Sequence, residues 1–184
     1  PSFANVTQGP HAAPAPAPSP ADGPLDTLVF PLPSTLEVGS AAPLRLRSDF
    51  RLSANASIDG NVSAVLRRRL GRLATQLSAM RLQPADASDS QASPELHGLV
   101  VLVGNADTEL SLGCDESYSI DIPSAEEASV TEALAVVSAP TVWGALAGLT
   151  TFEQLLQTKP SGLWTGHTPV RIEDRPNFPH RKTV

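Results

Sequence analysis

Apolar residues recur from Val62 at Leu66, Leu70, Leu73, Leu77 and Met80. Steps of three and four place them on one face of a helix. Asp59 or Ser57 stands where a cap is needed. Gln83-Pro84 ends the helix, because the residue before a proline is pushed out of helical geometry. A second stripe, Val142, Leu146, Leu149, Phe152 and Leu156, predicts another helix opened by Pro140-Thr141, with the proline in its first turn. Gly144 and Gly148 let that helix lie close against a sheet, at about 1 kcal/mol each in helix propensity relative to Ala.

Between the helices the period changes. Residues 97–104, His-Gly-Leu-Val-Val-Leu-Val-Gly, form a continuous apolar run, which predicts a strand buried on both faces. Tyr118, Ile120 and Ile122 alternate with Ser117, Ser119 and Asp121, the period of a half-buried strand. Residues 133–138 and 170–173 are two further strand candidates. Leu44, Leu46, Phe50 and Leu52, with Arg45, Arg47 and Arg51 on the alternate side, mark a strand region before the first helix. Residues 28–33, Leu-Val-Phe-Pro-Leu-Pro, suit a segment laid across a surface better than a central strand, since two prolines interrupt them. The expected fold is α+β: a single small β-sheet with two helices packed on one face.

Composition sharpens this outline. Ten of the eighteen prolines crowd the first 45 of 184 residues, and residues 1–24 read as a disordered Ala/Pro-rich leader. The folded domain is expected over 25–176. Its core must be aliphatic, because aromatics make up 4% of the chain against 41% apolar residues. A net charge of −6 and a pI near 5.1 argue against a nucleic-acid binder. The one basic cluster, Arg67-Arg68-Arg69, reads as a solvated helix face. No apolar run approaches the roughly 20 residues that cross a bilayer. The chain begins at Pro1 rather than Met, which leaves open a removed targeting segment or a fragment. Cys114 is single, so its redox state stays open between a free thiol and half of a bridge to a partner outside the chain.

Three blocks then carry a resemblance. They are residues 115–120, Asp-Glu-Ser-Tyr-Ser-Ile; residues 142–155, Val-Trp-Gly-Ala-Leu-Ala-Gly-Leu-Thr-Thr-Phe-Glu-Gln-Leu; and residues 172–181, Ile-Glu-Asp-Arg-Pro-Asn-Phe-Pro-His-Arg. In that order they resemble the amino-terminal, non-catalytic domain and domain junction of the eukaryotic family 20 β-N-acetylhexosaminidases. Phe30-Pro31-Leu32-Pro33 resembles the Trp-Pro-x-Pro entry of that domain, with Phe for Trp. The resemblance implies a sheet with two helices that supports a (β/α)8 barrel. It implies a structural role for Tyr118, Trp143, Gly144, Leu146, Gly148, Leu149, Phe152 and Leu155. Residues 177–184 would be the start of the junction to that barrel. Here Lys182 stands in place of the family's Gly, and the barrel is expected outside this chain.

The chemistry implied by the family is hydrolysis of terminal non-reducing N-acetylhexosamine from glycans or chitin oligomers, with the substrate's own acetamido oxygen as nucleophile. It needs a neighbouring Asp and Glu at the top of the barrel. The adjacent acidic pairs present, Asp115-Glu116, Glu126-Glu127 and Glu173-Asp174, read as solvated surface charge. His11, His97, His167 and His180 lack metal-ligand spacing, and a nucleophile elbow and a phosphate loop are both missing. No catalytic, metal or cofactor residue is therefore assigned, and the chain alone is expected to be inactive. Its expected partner is its own barrel, and glycan is reached only through that barrel. Sequons at Asn5, Asn55 and Asn61 make these glycosylation candidates and point to the secretory route, ending outside the cell or in a lysosome or vacuole. The competing reading is a naturally short, non-catalytic binding or scaffolding glycoprotein.

Overall fold

The structure is a computed structural model. It describes residues 29–55, 63–81, 93–105, 110–111 and 113–175. The leader, Asn5, His11, Asn61, His180, the cap candidates Ser57 and Asp59, Val62, the Gln83-Pro84 terminator and the junction 177–184 lie outside these residues.

Eight strands and three helices follow the order β1 (Thr35–Ala41), β2 (Arg45–Ala54), α1 (Ala64–Arg81), β3 (Glu95–Asn105), β4 (Tyr118–Ile122), α2 (Ala125–Val130), β5 (Leu134–Thr141), α3 (Val142–Gln154), β6 (Gln157–Lys159), β7 (Gly162–Trp164) and β8 (Thr168–Asp174). One sheet takes all eight strands in the order β1-β8-β4-β5-β3-β2-β7-β6. Its centre, β2-β3-β5, is parallel, and the flanking pairs are antiparallel. The α+β class matches the expectation, and the sheet is wider and carries a third, short helix. That helix is built by a capping box: Ser124 Oγ accepts from the Glu127 N–H, and the Glu127 carboxylate accepts from the Ser124 N–H at 2.9 Å.

The core lies between one sheet face and helices α1 and α3. From the sheet come Leu99, Val101, Val103, Tyr118, Ile120, Ile122, Ala135, Val137, Ala139, Val170 and Ile172. From α1 come Leu66, Leu73 and Leu77, with Leu70 partly buried. Met80 was expected on that stripe and is 42% exposed. It sits in the helix's last turn and has passed the edge of the covering layer. The opposite sheet face is open. Leu102 and Leu134 are 37% and 40% exposed there, so β3 is buried on one face rather than two.

Helix α3 begins one step later than expected. Pro140 is the penultimate residue of strand β5, beyond the last residue that β4 pairs with, Ser138. Thr141 is the cap: its Oγ1 accepts from the Gly144 N–H at 3.2 Å and donates to the Asp115 carbonyl at 2.5 Å. The buried stripe is Val142, Ala145, Leu149 and Phe152, with Leu146 and Leu156 only partly covered. The stripe is rotated toward the two glycines because they are the contact with the sheet. A Cβ on Gly144 would lie 2.2 Å from the Ser117 carbonyl oxygen, and one on Gly148 would lie 2.7 Å from Val137 Cγ1. The Tyr118 hydroxyl joins the same helix through Thr151 Oγ1 at 2.7 Å.

Candidate functional site

Each acidic pair is accounted for by local structure. The Asp115 carboxylate accepts from the Ser117 N–H at 2.9 Å. Hydrogen bonding from Ser117, helped by the charge of Arg175, holds its carboxyl below the usual range. Glu126 and Glu127 fill the first turn of α2, where the helix dipole favours negative charge. The third pair corrects the sequence reading. Glu173 is exposed, and Asp174 is 4% exposed. Asp174 faces inward because Thr168, Val170, Ile172 and Asp174 share the buried side of β8. Its Oδ1 accepts from both the N–H and the Oγ of Ser34, each at 3.2 Å. No local signal in the sequence gives this contact, since Ser34 lies 140 positions away.

The remaining candidates also have structural partners. His97 Nδ1 accepts from the Ala133 N–H at 3.2 Å, and the His167 ring lies 3.2 Å from the Ala41 carbonyl. Cys114 is partly buried and forms no disulfide within the chain. Among the described residues no group of three or more His, Cys, Asp or Glu side chains could hold a metal ion. Arg69 is drawn out of the supposed solvated cluster: it lies 2.7 Å from Glu153 Oε1 and so bridges α1 to α3. Arg67 and Arg68 are exposed.

The family-motif residues gather around α3. Tyr118, Gly144, Gly148, Leu149, Phe152 and Leu155 are buried, and Trp143 and Leu146 are half-buried on the side of α3 away from the sheet. The entry segment reaches the same helix, with the Phe30 N–H donating to Gln154 Oε1 at 2.6 Å and Gln154 Nε2 donating back to the Phe30 carbonyl at 3.0 Å. Phe30 and Leu32 are 85% and 63% exposed, consistent with a segment laid across the surface.

On the open sheet face a trough of about 700 Å³ runs across the strands near the carboxyl ends of β3 and β5. The ladder sets its floor. Leu102 pairs with Ser138, Ser138 with Ser119, Ser119 with Glu173, and Glu173 with Thr35. Asn55 follows Ala54, the partner of Val101, and its N–H donates to the Val101 carbonyl at 2.8 Å. It therefore stands beside Leu102 on this same face. The row runs from Asn55 and Leu102 through Ser138, Ser119 and Glu173 to Thr35, and Val103, Tyr118, Ala139, Pro140, Asp174 and Arg175 also line the solvent-open trough. A second concavity at the other end of this face is bordered by Glu37, Asp121, Glu127 and Arg171, with Arg171 Nε 3.2 Å from Asp121 Oδ1.

These features describe an α+β domain with polar groups committed to capping, clasping and joining its layers. A family model described as beta-acetyl hexosaminidase like matches residues 29–155. The chain belongs to that family. It is 32% identical over 157 residues to beta-hexosaminidase 3 of Arabidopsis thaliana, covering 83% of this chain and 28% of that protein. It is 39% identical over 94 residues to beta-hexosaminidase subunit beta of Mus musculus, covering 50% of this chain and 16% of the relative. The fold matches that of Flavobacterium johnsoniae chitobiase with a TM-score of 0.59 at 22% identity, over 82% of this chain and 21% of that one. The chain thus spans less than a third of the length of each. Among the described residues there is no barrel, and no helix is long and apolar enough to cross a membrane.

Proposed function

We propose that this chain is the amino-terminal supporting domain of a glycoside hydrolase that removes terminal non-reducing N-acetylhexosamine from glycans or chitin oligomers. The reaction is substrate-assisted and retaining: the acetamido oxygen attacks the anomeric carbon while a carboxylic acid protonates the leaving oxygen. Both carboxyl groups of that scheme belong to a barrel outside this chain, and the chain alone is inactive. The domain's part is to fold independently over residues 25–176 and to brace that barrel. The route is secretory, ending outside the cell or in a lysosome or vacuole.

The observation that carries this reading is the family match over residues 29–155 in relatives three to six times as long as the matched part. The local structure agrees, because every adjacent carboxylate pair is engaged in a turn or a cap, or is split between buried and exposed positions. The test is turnover of a chromogenic N-acetylglucosaminide. The purified 184-residue chain should release no chromophore, and a chain extended by the downstream reading frame into a family barrel should release it. Turnover by the short chain alone, or an extended frame without an Asp-Glu pair, would sink the proposal.

A further inference from the structure

We propose that the open sheet face binds a second copy of this chain, sheet to sheet, about a twofold axis that runs along the strands between β3 and β5. Such a contact is independent of the supporting role proposed above. In the sheet order, four strands lie on each side of the boundary between β5 and β3. The apolar part of the open face sits on that boundary. Leu102 stands beside Ser138, Val100 beside Val136 and Gly98 beside Leu134. On both flanks the same face turns polar, with Ser53 and Arg51 on β2 and Ser119 and Asp121 on β4. Leu102 and Leu134 are 37% and 40% exposed, and Val100 and Val136 are half-buried. An apolar stripe therefore runs between two polar margins, on the face that α1 and α3 leave uncovered.

The order of large and small residues along the stripe is self-complementary. The twofold lays β5 of one copy over β3 of the other, and β4 over β2, as an isologous contact. Leu102 then fills the space above Ser138 of the second copy, and Ser138 receives Leu102 in return. Val100 meets Val136. A Cβ on Gly98 would lie 3.2 Å from Leu134 Cδ2, so Leu134 leans toward β3 and the two Leu134 side chains meet at the axis. Aligned sheets about 10 Å apart are the ordinary packing for such faces. The margins match in charge as well. Arg51 comes over β4 of the second copy one row from Asp121, about 7 Å along the strand, a gap that a guanidinium on its stem spans. By symmetry this contact occurs twice. An axis moved onto β5 would set Val100 over Asp121, and one moved onto β3 would set Val136 over Ser53, so the central axis is selected. The four overlapping strands, three side-chain rows deep, measure about 19 Å by about 20 Å. Two such areas total about 800 Å², below the roughly 1,200 Å² at which stable interfaces begin, so the dimer is weak and reversible.

The experiment is sedimentation equilibrium of the 184-residue chain from about 10 μM to about 1 mM, with methyl NMR over the same range. The expected result is a monomer at the dilute end and a dimer at the concentrated end. The Leu102, Val100, Val136 and Leu134 methyls should shift with concentration, and those of Leu66 and Leu73 in the helix-side core should not. Leu102→Glu alters an exposed position and should stay folded and monomeric throughout. Arg51→Asp should weaken association about tenfold, and adding Asp121→Arg should restore it. Asp121 is exposed, and its pair with Arg171 is exposed too, so that exchange leaves the fold intact. A single monomeric species at every concentration overturns the second copy as occupant. A dimer that Leu102→Glu leaves unchanged, or whose shifts fall on α1 and α3, overturns the face. A double variant no tighter than Arg51→Asp overturns the axis. A monomer whose Leu102 and Leu134 methyls shift only on adding chitin oligomers assigns the face to glycan and overturns the proposal as well.

Discussion

Two glycines on helices make opposite predictions under the same substitution. In Gly144→Ala the new methyl would sit 2.2 Å from the Ser117 carbonyl oxygen, about 1 Å inside normal contact. That oxygen is backbone, in a segment pinned by the Asp115 bonds to Ser117 and Thr141, so no flexible side chain can yield. Helix propensity returns about 1 kcal/mol. Overpacking costs about 1–3 kcal/mol, and the upper part of that range applies when the obstacle is main chain. The expected net loss is about 1–2 kcal/mol, or a fall in Tm of about 2–8 °C for a domain of this size. In Gly71→Ala no atom lies within 4 Å of the added carbon, so the propensity gain of about 1 kcal/mol remains. Its Tm should rise by about 2–4 °C. Urea and thermal unfolding of both variants, followed by far-ultraviolet circular dichroism, decide the matter. If both variants move the same way, or Gly144→Ala is as stable as the parent, the close approach of α3 to the β4 entry does not exist in solution.

Other outcomes follow from the same structure. Tyr118→Phe removes the 2.7 Å bond to Thr151 within the core and should cost about 1–2 kcal/mol in denaturant unfolding; an unchanged midpoint would mean the two hydroxyls do not meet. Asp174→Ala strips the Ser34 N–H of its acceptor at a 4% exposed site and leaves the Ser34 hydroxyl only the Arg175 carbonyl, with an expected loss of about 1–3 kcal/mol; hydrogen exchange should quicken at Ser34 before it does at β3. Asp115 has a folded-state pKa lowered from 3.8, so its contribution is complete above that value and is lost as pH falls through the depressed one. Stability of Asp115→Asn should accordingly fall less steeply than the parent's below pH 3.8, and parallel acid limbs would refute the Ser117 bond.

The long periodic elements were legible because their pattern and their environment agree. Helices α1 and α3, and strands β3, β4, β5 and β8, all carry runs of apolar residues at the period they adopt. Strand β1, Thr-Leu-Glu-Val-Gly-Ser-Ala, was not legible. It is an edge strand with a register shift after Val38, and only β8 holds it. Strands β6 and β7 have three residues each and are defined by pairing, a long-range property. Helix α2 did leave a signal, the Ser124 to Glu127 capping box, though six residues give too little periodicity to stand out. The open face of β3 was misjudged because Val100 and Leu102 are as apolar as their buried neighbours. Sequence shows hydrophobicity, and only topology shows that no helix covers that side. The trough was illegible for the same reason: its residues come from six separate strands or strand ends and become a row through register alone.

The clasp between Ser34 and Asp174 holds the start of β1 against the end of β8, and the Phe30–Gln154 pair fastens the segment before β1 to α3. The described residues therefore have their first and last strands fastened together where β1 begins and β8 ends. A unit with a single doorway behaves as a detachable cassette. It can be joined to a neighbour, removed from it or placed within another chain with only that doorway to rebuild.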